Sequence, residues 1–176
     1  EVSCYPAQEY FKSLDSLFVQ WQQHYAARGS RALVVPTGGS DGIGAWGYIA
    51  ACEELARDFE SAGIRQAHIV TATGSGGTQT GLTLGVALHR LPATVWGVNV
   101  CDDENYFLKK VASDAVQWRT CYPGVPDVDI HPRVIDGYVG QGYAVADAAI
   151  FELIGELCRL EGLVLDPVYT GKAFAG

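Results

Sequence analysis

Ala67-His-Ile-Val-Thr-Ala-Thr-Gly-Ser-Gly-Gly-Thr78 joins a short apolar run to a loop with three glycines in four positions, and Thr78 to Leu91 then reads as a helix. A strand that enters a helix through such a loop aims several backbone N–H groups, and the positive end of the helix dipole, at one point. Glycine lets the backbone wrap closely around a ligand, and Thr73, Ser75 and Thr78 add hydroxyl donors. The loop lacks the lysine of a P-loop and the spacing of a dinucleotide fingerprint, so a phosphate monoester of a cofactor or sugar fits better than a nucleotide. The same residues would also serve a plain tight turn, and the spacing leaves both readings open.

Outward from this stretch, helical and strand patterns alternate. Before it come a helix over Pro6 to Gly29, with Tyr10, Leu14, Leu17, Phe18 and Trp21 at three- and four-residue steps, a strand Arg31 to Pro36, a glycine-rich loop Thr37 to Gly44 and a helix Ala45 to Ala62. After it come a strand Thr94 to Cys101, a helix Glu104 to Arg119, a strand Val128 to Val134, a helix Ala144 to Glu161 and a strand Leu163 to Val168. Short apolar strands alternating with helices predict an α/β fold: a three-layer, doubly wound, mostly parallel sheet with helices on both faces, occupying residues 1–176 as a single domain. In such a sheet the loops at the strand carboxyl ends form the site. Two further loops lie there. Pro36-Thr-Gly-Gly-Ser-Asp-Gly-Ile-Gly44 would flank a cleft shared with the first loop, or would simply turn and cap a helix through Ser40 or Asp41. Asp166-Pro-Val-Tyr-Thr-Gly-Lys172 would place Tyr169 and Thr170 at a strand end, as a rim residue and an N-cap or as part of the site.

Composition narrows the ligand. The 176 residues are 48% apolar and carry a formal charge of −8, which disfavours both nucleic acid and anionic lipid as partners. No apolar run approaches a bilayer's thickness and the first ten residues lack signal-peptide character, so the expectation is a cytoplasmic protein with a small-molecule ligand. The cysteines Cys4, Cys52, Cys101, Cys121 and Cys158 include no C-x-x-C pair; they are expected to be free buried thiols, with no metal site. The absence of methionine hints at a fragment.

Four stretches together resemble the D-cysteine desulfhydrase and 1-aminocyclopropane-1-carboxylate deaminase family of pyridoxal 5'-phosphate enzymes, within the tryptophan-synthase-β-like fold group. They are Gly38-Gly-Ser40 with Gly44 and Gly47-Tyr48, Thr73-Gly-Ser-Gly-Gly-Thr78 with Gly81, Asp136-Gly-Tyr-Val-Gly-Gln-Gly-Tyr143, and Leu165-Asp-Pro-Val-Tyr-Thr-Gly-Lys172. Their order and spacing match across nearly the whole chain. The resemblance implies that Thr73, Gly74, Ser75, Gly76, Gly77 and Thr78 hold the cofactor phosphate, that Thr170 faces the pyridine nitrogen, and that Tyr143 and Tyr169 act near the substrate. A phenol there can donate a hydrogen bond or shuttle a proton. A neutral hydroxyl at the pyridine nitrogen tempers the cofactor's electron-sink strength, which suits β-elimination.

The deaminase branch typically has glutamate where Thr170 stands, which favours desulfhydrase-like chemistry: a small amino acid such as D-cysteine giving pyruvate, ammonia and sulfide. Asp41 is a second departure, from asparagine; its charge would alter the loop's hydrogen bonds or sit in solvent. The family's Schiff-base lysine belongs to an amino-terminal segment with no counterpart here. Lys12, Lys109 and Lys110 read as solvated helix charges, and Lys172 matches a different family lysine. The expectation is therefore a fragment or split chain that works with its missing half; a non-catalytic module binding the cofactor or another phosphate, a deaminase, and an interaction subunit are the alternatives. A sheet edge left open would favour self-association or a complementing amino-terminal chain.

Overall fold

A computed structural model describes residues 2–176, apart from the side chains of Ala7 and Phe11. The chain divides into two compact units, with the division between Pro36 and Thr37. In the first, α1 (Ala7–Ala26) turns the apolar stripe of Tyr10, Leu14, Leu17, Phe18 and Trp21 into a groove shared with Ser3 and Tyr5. The helix stops at Ala26, three residues short of the predicted Gly29, which has φ 74°. The predicted strand Arg31 to Pro36 does not form: the segment is extended but unpaired, with Leu33 88% exposed. A strand needs a neighbour to take its backbone groups, and among the described residues none lies alongside.

The second unit, Thr37–Gly176, carries a parallel sheet flanked by helices. Its elements are α2 (Trp46–Ala62), β1 (Ala67–Thr73), α3 (Gly77–Leu88), β2 (Ala93–Asn99), α4 (Glu104–Cys121), β3 (Arg133–Ile135), α5 (Ala148–Glu161) and α6 (Thr170–Ala175). The strands lie in the order β1-β2-β3, with Ala67 opposite Ala93 and Trp96 opposite Arg133. The α/β class with parallel strands is as the sequence predicts, and the crossovers α3 and α4 join successive strands.

Two apolar clusters hold this unit together. Ala45, Ile49, Leu84, Ala115 and Trp118 link α2, α3 and α4, while Cys52, Leu82, Leu91 and Val95 link α2, α3 and β2. The close approach of α2 to α3 depends on small residues: a Cβ at Gly81 would lie 2.7 Å from Tyr48 Cβ, and one at Gly85 would lie 2.6 Å from Cys52 Sγ. That approach brings Tyr48 beside the start of α3.

Other predicted elements differ: the helix expected to reach Leu91 ends at Leu88, the strand expected over Thr94 to Cys101 spans Ala93–Asn99, and the helix expected to end at Arg119 runs to Cys121. The strand expected over Val128 to Val134 is confined to Arg133–Ile135. The helix expected from Ala144 begins at Ala148, because Ala144 adopts φ 60° and breaks any helical start. Leu163 to Val168 forms no strand, and Val164 is 77% exposed for lack of a neighbour to pair with. All five cysteines are free, as expected, but Cys4, Cys121 and Cys158 are exposed rather than buried: they sit on the terminal segment and late in α4 and α5, away from both clusters. Among the described residues no helix is long and apolar enough to cross a membrane, and no group of His, Cys, Asp and Glu is arranged to hold a metal.

Candidate active site

Thr73 ends β1, and the chain turns through Gly74, Ser75 and Gly76 into α3. Gly76, at φ 90°, takes the N-cap position, where any side chain would be strained and would also press on Lys110 Cγ at 2.9 Å. The first helical amide, Gly77 N, is met by Ser40 Oγ at 3.1 Å, and Ser40 Oγ donates in turn to Ser75 Oγ at 2.6 Å. Ser40 is therefore not a cap for α2, as a local reading suggests. It ties the loop Thr37 to Gly44 directly onto the 73–78 loop. Nor does Asp41 cap α2, which has no side-chain cap: its Oδ1 accepts from Ile43 N at 2.9 Å and Gly44 N at 2.7 Å and so turns the loop ahead of the helix, a task that needs an acceptor but no charge.

Lys110 completes this junction. Its Nζ donates to Ser40 O at 2.9 Å and to Asp114 Oδ1 at 2.6 Å. It is thus no solvated helix charge; its side chain is 23% exposed and that of Asp114 only 7%. Burial pushes the Asp114 carboxyl up, while the hydrogen bond and charge of Lys110 pull it back. Lys12 and Lys109 do lie on the surface.

A cleft of about 260 Å³ opens over the turn, lined by Thr71 to Gly76, Thr78, Tyr48 and Tyr169. Among the described residues the amides of Ser75, Gly76 and Thr78 donate to no protein acceptor. Thr73 Oγ1 is buried and without a partner, a hydroxyl held where a ligand oxygen could meet it. A Cβ on Gly74 would come within 2.8 Å of Tyr169 Cε1. Unpaired amides at a helix amino terminus, an orphaned hydroxyl and glycines with no room for a side chain fit a phosphate monoester.

Tyr169 reaches this cleft from the N-cap of α6, and its phenol forms a short hydrogen bond with that of Tyr143. That hydrogen bond, followed by burial, pushes the Tyr169 phenol up to about 12, so it stays protonated at neutral pH. Thr170 and Tyr143 are not among the cleft-lining residues. The Thr170 hydroxyl is instead held by Asp166: it donates to Asp166 Oδ2 at 2.5 Å and accepts from Asp166 N at 2.8 Å. Asp166 also accepts from Val168 N, Tyr169 N and Thr170 N. Burial acts against the Asp166 charge, but these bonds outweigh it and hold the carboxyl down to about 2. Lys172 is fully buried, its Nζ bonded to Val139 O and Gly142 O, so its amine is not presented to the cleft.

The structure thus gathers Thr73, Gly74, Ser75, Gly76, Thr78 and Tyr169 around one cleft, with Gly77 directly behind it and Tyr143 one hydrogen bond away. Ser40, Tyr48, Lys110 and Asp166 are further contributors to this neighbourhood. Tyr48 and Ser40 lay within motifs the sequence singles out; nothing local in the sequence marks Lys110.

The chain is similar to known proteins along nearly its whole length. The family model described as pyridoxal-phosphate dependent enzyme matches residues 9–176. A protein of Thermotoga maritima, named as a candidate 1-aminocyclopropane-1-carboxylate deaminase, is 33% identical over 174 residues, covering 96% of this chain and 53% of its own length. A mitochondrial bifunctional D-cysteine desulfhydrase and 1-aminocyclopropane-1-carboxylate deaminase of Arabidopsis thaliana is 38% identical over 152 residues, 84% of this chain and 36% of its own. The crystal structure of an ACC deaminase homologue superposes with a TM-score of 0.81 at 28% identity, over 98% of this chain and 50% of that one. The chain therefore spans about half the length, or less, of these relatives. It belongs to the family of pyridoxal-phosphate dependent enzymes.

Proposed function

We propose that this chain holds the phosphate of pyridoxal 5'-phosphate in the 73–78 loop and serves a desulfhydrase-like β-elimination. The substrate would be a small amino acid such as D-cysteine, which with water yields pyruvate, ammonia and sulfide. The covalent lysine would come from a further segment of the same protein or from a complementing chain. The observation that carries the reading is the unpartnered Thr73 hydroxyl beside the free amides of Ser75, Gly76 and Thr78 at the start of α3.

The bound cofactor supplies the electron sink that makes the substrate's α-proton acidic. This chain's residues supply position and protons. The amides of Ser75, Gly76 and Thr78, with the Thr73 hydroxyl, bind the phosphate oxygens, and the dipole of α3 favours their charge. Tyr143 and Tyr169 share one hydrogen bond, so of their two phenolic protons one is left to donate. A phenol held near 12 is a poor base at neutral pH, which suits it to stabilise a departing sulfur at its Oη as a hydrogen-bond donor. Asp166 Oδ2 accepts the hydrogen bond of the Thr170 hydroxyl, whose oxygen in turn accepts from Asp166 N, so Thr170 is held as a neutral group. A neutral partner, where the deaminase branch has a carboxylate, favours elimination over the deaminase reaction. The names of the relatives span both reactions and do not decide between them. The same reading takes the protein to be cytoplasmic and to self-associate or bind a complementing chain; sedimentation of the full chain tests the last point.

Titration of the chain with pyridoxal 5'-phosphate, followed by its visible spectrum, tests the cradle. Saturable binding is expected, weakened at least about tenfold in Gly76→Ala, whose Cβ would be strained at φ 90°. Binding that is absent, or indifferent to Gly76→Ala, overturns the reading.

A further inference from the structure

Lys172 is among the largest fully buried side chains of the molecule, 1% exposed, three residues after Tyr169. Burying a lysine amine is costly unless its donors are met, and it is met here by two backbone carbonyls rather than by a carboxylate: Val139 O at 2.7 Å and Gly142 O at 2.9 Å. Both belong to the loop that delivers Tyr143. That loop has no sheet ladder, and Gly137, Gly140 and Gly142 all lie at positive φ, so its conformation is weakly specified by its own backbone. Gly142 O accepts from Val145 N as well, so Lys172 grips the carbonyl that closes the turn immediately around Tyr143.

The phenol pair by itself is a weak anchor. Tyr143 is 55% exposed and Tyr169 39%, and a hydrogen bond so open to water adds little net stability, because water competes for both partners. Tyr143 therefore needs its backbone fixed from elsewhere. We propose that Lys172 is a positioning residue that fixes the Tyr143 loop through its carbonyls and so keeps the Tyr143 phenol against that of Tyr169. α6 then carries both halves of the clamp: Tyr169, at its N-cap, meets the loop's side chain, and Lys172 meets the loop's backbone. The catalytic meaning of this clamp rests on the reading of the two tyrosines as proton-handling groups; the contact itself does not.

The test uses the full chain labelled with 13C at tyrosine Cζ, with Tyr143→Phe and Tyr169→Phe assigning the two resonances. In the unsubstituted protein both should be displaced from the free-phenol position. Lys172→Met, which keeps the stem and removes the donors, should return both toward that position and speed hydrogen exchange of the Val145 amide about tenfold. Lys172→Gln, with two N–H donors, should restore part of the displacement. Unchanged resonances in a folded Lys172→Met protein would overturn the proposal. Should that variant fail to fold, Gly142→Ala strains the loop at φ 138° while leaving Lys172 in place, and it should produce the same loss; its failure to do so would overturn the proposal equally. Absence of pyridoxal 5'-phosphate binding would sink the proposed function and leave these resonances untouched, so the two failures are distinguishable.

Discussion

Replacing Asp166 with asparagine removes one negative charge from the point where four donors converge: Val168 N at 2.8 Å, Tyr169 N at 2.7 Å, Thr170 N at 2.9 Å and the Thr170 hydroxyl at 2.5 Å. The folded carboxyl titrates at about 2, against 3.8 for an ordinary aspartate. At about 1.4 kcal/mol per pH unit, that gap corresponds to ~2.5 kcal/mol of stability. Asp166 is exposed, so water competes for the same bonds and the discounted figure is about 1 kcal/mol. The sign follows from a depressed carboxyl. The stabilisation is fully present above about pH 4 and is lost as the pH falls through about 2. Urea unfolding of the unsubstituted protein and of Asp166→Asn, followed by tryptophan fluorescence from pH 7 to pH 2.5, should show a difference of about 1 kcal/mol that is constant down to about pH 4 and then shrinks. A difference that persists undiminished at pH 2.5, or none at pH 7, would refute the account of Asp166 as a charged hub for Tyr169 and Thr170.

Lys110→Met should cost more than Asp114→Asn, about 2 kcal/mol against about 1, because the first strands the more deeply buried partner; chemical denaturation of both reads the asymmetry. Trp118→Ala should cost about 3–5 kcal/mol, since Trp118 is wholly buried against Trp46, with ring centroids 5.8 Å apart, and its loss opens the larger of the two clusters; the thermal midpoint reports it. At pH 8, iodoacetamide should label Cys4, Cys121 and Cys158 well before Cys52, whose thiol is buried and pushed up to about 11, and mass spectrometry of timed aliquots gives the order.

What the sequence disclosed, and what it withheld, divides along the range of the interactions. The 67–78 stretch could be read because strand, glycine turn and helix are local patterns, and the structure forms all three there. The runs 31–36 and 163–168 have the same branched, apolar character yet form no strand, because pairing depends on a neighbour the run itself does not specify. Ser40 was legible as a capping residue, a local role, and turns out to be committed to Ser75 and Gly77, thirty-five and thirty-seven positions away. The lysines make the point most sharply. Lys109 and Lys110 are adjacent and alike in sequence, but a helix turns by about 100° per residue, so one points to water and the other into the junction with Asp114 and Ser40.

The two halves of the candidate site are therefore built by different means. The phosphate cradle takes its amides and hydroxyls from the six consecutive residues 73–78, braced from behind by Ser40 and Lys110. Its geometry follows once β1, the turn and α3 form. The phenol pair has no such local origin: Tyr143 and Tyr169 are twenty-six positions apart, on a loop without a ladder and at the start of a six-residue helix. Their meeting depends on Asp166, which organises the backbone at Tyr169 and Thr170, and on Lys172, which holds the loop bearing Tyr143. Because none of the bonds of Asp166 or Lys172 involves the 73–78 loop, phosphate binding and proton handling rest on separate supports that converge only where Tyr169 crosses Gly74. That crossing is also why Gly74 must be a glycine: a side chain there would push away the one phenol that joins the two halves.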